Sequence, residues 1–369
     1  MSASGSTSPT PTVRPAAEPA DYLLSLLAAL PADLRERLDE IGEVVIDETN
    51  LAAMRGRTLR SPGTPTGAVE HLDRHAPGAP GDPDVALRLH RERGAALPRP
   101  CLISIHGGGY VIGSHRGDDG RFDRWCTTLE CVGISVGYRL APETPYPGPL
   151  EDCYAALRWA HRHAEELGID PDRIGISGGS AGGGLAAGLA LLARDRGEFP
   201  ISFQVLTYPM LDDRLLTDSG RAGAPLWGPA TNQFGWHAYL GAYRDKDDVP
   251  AYAVPGRARD LAGLPPAFIA VGNLDGLLDE DLDYARRLIA AGVPTDVHVY
   301  ADGPHAFDSM LPDAAVTARA RRTLEEWLRA RMRQADDASV STGAPPGVGM
   351  GKPTEQSPEI EARDHIPGG

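Results

Sequence analysis

Three side chains in this sequence are of the types that nucleophilic acyl transfer requires: Ser180, Asp275 and His305. A serine hydroxyl is a poor nucleophile at neutral pH, so it needs an imidazole to take its proton and an acid to fix that imidazole in one tautomer. Ser180 lies in Arg173 to Ala193, RIGISGGSAGGGLAAGLALLA, where an apolar run from Ile174 to Ser177 meets a cluster of glycines. Ala- and Leu-rich sequence with strong helix propensity follows. The stretch reads as a strand, a sharp turn and a helix. Small neighbours there tolerate a strained serine whose hydroxyl projects from the sheet edge.

The Gly-x-Ser-x-Gly pattern does not by itself select Ser180, because it occurs three times in a chain with 43 glycines. Ser135 stands inside the apolar alternation Val132, Ile134, Val136, and Ser177 ends its strand before the turn. Only Ser180 stands at a strand-to-helix junction. His305, in Asp302-Gly-Pro-His305-Ala-Phe307, sits on the loop after the last expected strand, and Asp275, in Gly272-Asn-Leu-Asp275, follows the strand before it. Alone, His305 reads as a surface-loop histidine and Asp275 as a turn former or helix cap. Together, at consecutive strand ends and in the order Ser, Asp, His, they read as base and acid. Asp279 is the rival acid, placed second because it belongs to the following helix, where Glu280 and Asp281 read as first-turn acids complementing the helix dipole.

Acyl transfer also develops a negative oxygen that needs preorganised N–H donors. His106-Gly107-Gly108-Gly109 follows the strand Leu102 to Ile105, so the amides of Gly107 and Gly108, with that of Ala181 after the nucleophile, form the expected oxyanion hole. His106 is expected to pin this loop. No Gly-Lys-Ser/Thr follows the glycines, which argues against a phosphate loop, and no histidine pair has the helical i, i+4 spacing of a metal site. His161 and His163 read as a solvated helix face. No metal and no cofactor are expected.

Strands are expected at Ala68 to Leu72, Val85 to His90, Leu102 to Ile105, Val132 to Tyr138, Ile174 to Ser177, Phe203 to Tyr208, Ala267 to Val271 and Val297 to Tyr300. Helices fall at Phe122 to Glu130, Glu151 to Leu167, after Ser180, at Glu280 to Ala291 and at Asp313 to Arg333, the last with a Val316, Ala320, Leu324, Trp327 stripe. The alternation predicts an α/β fold: a mostly parallel sheet of about eight strands with helices on both faces and ligands at the strands' carboxyl ends. Residues 1–18 read as a disordered tail, 19–54 as N-terminal cap helices, 55–334 as the catalytic domain and 335–369 as a second disordered tail. Gly/Pro density between Arg55 and Pro83 signals loops. The irregular stretch 211–264 holds Trp227, Phe234, Trp236, Tyr239 and Tyr243, and reads either as a lid or as an insertion packed onto the body.

With 41% hydrophobic and 24% charged residues the chain can bury a core, and a formal charge of -15 argues against nucleic acid or anionic membrane as partner. The apolar run Leu23 to Leu30 is too short to span a bilayer and lacks a basic flank, so neither stable membrane insertion nor a signal peptide is expected. Four cysteines without Cys-x-x-Cys spacing read as reduced buried thiols in a cytoplasmic protein. A homodimer is among the assemblies this reading admits.

Taken together, His106-Gly-Gly-Gly109, Tyr138-Arg-Leu-Ala-Pro-Glu143, Gly178-Gly-Ser-Ala-Gly-Gly183, Asp275 and Gly303-Pro-His305 resemble the hormone-sensitive lipase family of α/β-hydrolase carboxylesterases. The resemblance covers roughly residues 20 to 333. It implies a carboxylester hydrolase of small-molecule esters with Ser180 as nucleophile, His305 as base, Asp275 as acid, no cofactor, and a cap formed by the N-terminal helices and the 211–264 insertion. For Tyr138 to Glu143 it implies a scaffold role. Gly179, Gly184 and Gly276 depart from the commonest family pattern; none removes a catalytic group, and all three bear on subfamily and acyl preference. An amidase or other acyl hydrolase on the same triad is the alternative. A non-catalytic binding homologue would show a lost triad residue, and none is lost.

Overall fold

Ile103, Ile134 and Ile176 lie side by side in register at the centre of an eight-stranded sheet, in a computed structural model that describes residues 19–58, 67–222 and 224–340. The strands are β1 (Val69–Ala76), β2 (Val85–Glu92), β3 (Arg99–Ile105), β4 (Val132–Gly137), β5 (Ile169–Gly179), β6 (Phe203–Thr207), β7 (Ala267–Leu274) and β8 (Thr295–Pro304). Their spatial order is β1-β2-β4-β3-β5-β6-β7-β8, antiparallel from β1 through β2 to β4 and parallel elsewhere. The mostly parallel sheet expected from the alternation is the one observed. Strands buried on both faces have near-continuous apolar sequence, which is why β3 and β4 are legible as runs.

The helices are α1 (Pro19–Ala28), α2 (Ala32–Ile41), α3 (Leu51–Thr58), α4 (Asp119–Thr128), α5 (Gly148–Arg162), α6 (Ala164–Leu167), α7 (Ala181–Arg196), α8 (Asp218–Arg221), α9 (Pro229–Leu240), α10 (Leu278–Ala290), α11 (Phe307–Met310) and α12 (Ala315–Val340). On one face α5, α7 and α10 pack over Cys101, Ile103, Ile134 and Ile176. On the other, α4 and α12 pack over Leu102, Phe203 and Phe268. α7 is buried from Ala181 to Ala193 and stops at Gly197, which takes the left-handed conformation (φ 63°) and returns its amide to the Ala193 carbonyl.

Some boundaries differ from the sequence reading. α3 takes in Arg55, which the Gly/Pro count had placed in a loop, and α12 runs to Val340, six residues into the stretch read as a tail. The remaining tail expectations, 1–18 and 341–369, lie outside the described residues. The 211–264 stretch carries α8 and α9, and it is tied to the segment before α3: the Val44 amide donates to the Leu226 carbonyl (2.9 Å), the Ile46 amide to Thr231 Oγ1 (3.3 Å), and that hydroxyl to the Val44 carbonyl (3.1 Å). All four cysteines are buried and free, and no helix among the described residues is long and apolar enough to cross a membrane.

Candidate active site

Ser180 occupies the turn between β5 and α7 at φ 56°, ψ -125°, a left-handed conformation that a side chain rarely adopts. The turn is possible because glycines surround it: a Cβ on Gly182 would lie 2.1 Å from the Ile105 carbonyl oxygen. The Ser180 amide donates to the Thr207 carbonyl (3.0 Å) and its own carbonyl accepts from Gly184 and Met210 (both 3.0 Å), fixing the residue between β5 and β6. Of the other two motif serines, Ser135 is buried in β4 and hydrogen-bonded to His90, and Ser177 lies within β5.

Loops after β7 and β8 bring Asp275 and His305 to this turn. His305 Nε2 lies 2.9 Å from Ser180 Oγ and its Nδ1 2.9 Å from Asp275 Oδ2. The other carboxylate oxygen of Asp275 accepts the Leu277 amide at 3.0 Å, which orients the acid toward the imidazole. Asp279, the rival acid, sits in α10 as expected and instead accepts the Ser219 amide (2.9 Å). Glu280 and Asp281 are in the first turn of α10, but they face inward rather than serving as surface acids. Burial raises both carboxyls well above the ordinary range. Glu280 accepts the Leu211 and Asp212 amides, while the Asp281 carboxyl has no hydrogen-bond partner among the described residues.

The glycine loop after β3 lies directly against the turn: a Cβ on Gly107 would be 3.3 Å from Ser180 Cβ. Gly108, at φ 119°, has the backbone that only glycine adopts with ease. His106 is structural, as expected. Its Nδ1–H donates to the Gly107 carbonyl (2.9 Å), its ring stacks on Tyr138 at 4.2 Å, and the Tyr138 hydroxyl donates to its carbonyl (2.9 Å). Burial pushes its imidazole down to about 4. The segment Tyr138 to Glu143 is tied to α3. Arg55 grips Glu143 with both terminal nitrogens (2.7 and 2.8 Å) and donates to the Val111 and Ala141 carbonyls (both 2.8 Å). The paired guanidinium holds the Glu143 carboxyl down at about 2.

The aromatic residues of the insertion divide between the two readings open at the sequence level. Trp236 and Tyr239 are fully buried and pack on Tyr110 of the glycine loop, with ring centroids 5.2 and 4.1 Å away. Trp227 instead stands over His305 at 5.6 Å, with Tyr208 on another side at 4.9 Å. Tyr208, which the motifs did not single out, also reaches Asp308 through its hydroxyl. Enclosed in this way, Ser180, Asp275 and His305 are 7%, 2% and 3% exposed. Gly184 has no room for a side chain: a Cβ would be 2.3 Å from the Met210 carbonyl oxygen and 2.5 Å from the Tyr110 hydroxyl. The arrangement can withdraw a proton from Ser180, which is the first requirement of acyl transfer.

A family profile described as alpha/beta hydrolase fold matches residues 102–309. Esterase LipI of Mycobacterium tuberculosis is 42% identical over 201 residues, 54% of this chain and 62% of that protein. Carboxylesterase NlhH of the same organism is 36% identical over 296 residues, 77% of this chain and 91% of that protein. Among solved structures, a bacterial heroin esterase is similar with a TM-score of 0.73 and 39% identity, covering 86% of this chain and 99% of its own. With these relatives spanning both the sheet and the loops at its carboxyl edge, the chain belongs to the hormone-sensitive-lipase-like family of α/β-hydrolase carboxylesterases.

Proposed function

We propose that this enzyme cleaves short- to medium-chain acyl esters of small molecules through an acyl-enzyme, with Ser180 as nucleophile, His305 as general base and Asp275 as the acid that orients it. The unbroken chain from Ser180 Oγ through His305 to Asp275, 2.9 Å at each step, carries this reading. Ser180 attacks the ester carbonyl as its proton passes to His305 Nε2. The Gly107, Gly108 and Ala181 amides hold the oxyanion, and the imidazolium returns the proton to the departing alcohol. Water, deprotonated by His305, then attacks the acyl-enzyme and releases the acid. A short to medium acyl group is supported by the rings of Trp227 and Tyr208, which stand beside His305, and by the burial of Ser180. Residues 19–54 and 211–264 form the cap, supported by the hydrogen bonds that join them. Free buried thiols favour a cytoplasmic setting.

The test is hydrolysis of p-nitrophenyl esters from acetate to long-chain acyl groups by the wild type and Ser180→Ala. Turnover is expected to peak at short or medium chains and to fall by on the order of 10⁴ or more in the variant, with the fold intact by circular dichroism. Near-normal turnover in Ser180→Ala overturns the assignment.

A further inference from the structure

On the face of the sheet away from α7, the register of the β1–β2 hairpin makes His71 and His90 cross-strand partners, and α4 begins beside them with Asp119. Helical spacing of histidines, the pattern weighed in the sequence, does not reveal such a pair. We propose that His71, His90 and Asp119 are the ligands of a zinc ion that fastens the β1–β2 hairpin to α4.

The outer nitrogens of both rings are already committed. His71 Nε2 lies 3.0 Å from Asp123 Oδ1, and a carboxylate there can only accept. His90 Nε2 lies 2.9 Å from Ser135 Oγ, whose own hydrogen is directed at Asp118 Oδ2 (3.2 Å), so this ring also donates outward. Both Nδ1 atoms then point lone pairs at each other across 2.8 Å, an arrangement that requires a positive centre between them. Each Nδ1 is also 3.8 Å from Asp119 Oδ1. A triangle with sides 2.8, 3.8 and 3.8 Å has its centre about 2.0 Å from all three corners, which is the length of a zinc bond to imidazole nitrogen or carboxylate oxygen. Opening the two rings and drawing Asp119 Oδ1 inward, each by about half an ångström, gives the ligand spacing of about 3.3 Å that tetrahedral bonds of about 2.0 Å require, with a water as fourth ligand.

The surroundings match a metal centre as well. Each imidazole has its far N–H held by an oxygen, and Asp119 is steadied by Arg88, which donates to its two oxygens at 2.7 Å each. Two imidazoles and one carboxylate suit zinc rather than magnesium or calcium, which take all-oxygen shells. The three ligand side chains are 5% exposed or less, so water competes little. Asp118, one residue before Asp119, accepts from Ser104 (2.7 Å) on β3 just ahead of the glycine loop. The ion would therefore brace the strand end from which the oxyanion donors emerge.

The untagged full-length protein, stripped with chelator and re-equilibrated with Zn²⁺, is expected to retain one equivalent by elemental analysis and to gain several degrees in Tm. With Co²⁺ it should show the visible bands of a tetrahedral nitrogen–oxygen site. His71→Gln should lose metal, bands and Tm gain together, while His305→Ala keeps them, which separates this site from the catalytic histidine. No stoichiometric metal and no Tm gain in the wild type, or uptake unchanged in His71→Gln, overturns the proposal and leaves the two imidazoles sharing a proton. Should His71→Gln fail to fold, wild-type stoichiometry and the cobalt spectrum decide.

Discussion

Ser180 keeps its strained backbone because hydrogen bonds hold it on both sides and because Gly182 lets the β3 carbonyls approach. Gly182→Ala should therefore push the turn and the glycine loop apart. The expected cost is on the order of 1–3 kcal/mol in urea unfolding, together with a loss of kcat on p-nitrophenyl acetate. Asp281 gives a second prediction at this scale. Its folded carboxyl titrates above its unfolded value, so the folded state holds a proton the unfolded state has released, and stability falls as pH rises through that interval. Asp281→Asn removes the ionisation, so its urea midpoint should exceed wild type at pH 8 and converge with it toward pH 4. A midpoint difference that does not change with pH contradicts this. Individual residues also mark where sequence is informative: Ser180, Asp275 and His305 are legible because each sits just past an apolar strand. The burial of Asp281 is not, because the inward face of α10 is set by how the helix lies on β7, and its first turn looks acidic either way.

Among the elements, α3 does more than cover a core, since Arg55 joins it to the glycine loop and to Glu143. Arg55→Ala should lower kcat about tenfold, equivalent to about 1.4 kcal/mol in the barrier, with little change in Tm. An unchanged kcat would show that the loop holds its shape alone. Trp227, in the segment between α8 and α9, limits the space over His305. Trp227→Ala should move the acyl-length optimum toward longer chains, read from kcat/KM across the ester series. The sheet was legible at this scale because buried parallel strands are continuously apolar, so the runs at Leu102, Val132 and Phe203 stand out. α3 was hidden by Gly56 and its glycine-rich surroundings, and β5 begins before its apolar run because Ile169 pairs with Arg99 across a register shift. The His71–His90 pair was invisible because strand register, not spacing along the chain, brings the two together.

For the molecule as a whole, a formal charge of -15 sets a repulsive field for anionic substrates. An ester carrying a free carboxylate should show kcat/KM rising with added salt, while a neutral ester of similar size changes little. The opposite salt response would mean that the local field at the site outweighs the global one. Ser180, Asp275 and His305 stand on loops of the sheet, whereas the segment before α3 and the 211–264 stretch are bonded to each other at Val44, Ile46, Leu226 and Thr231. These two segments are far apart in sequence, yet they share one seam. Recombination between esterases that exchanges only one of them would leave half of a seam facing an unmatched edge. Chimaeras that carry both segments from the same parent should fold and adopt that parent's ester preference, and single exchanges should not.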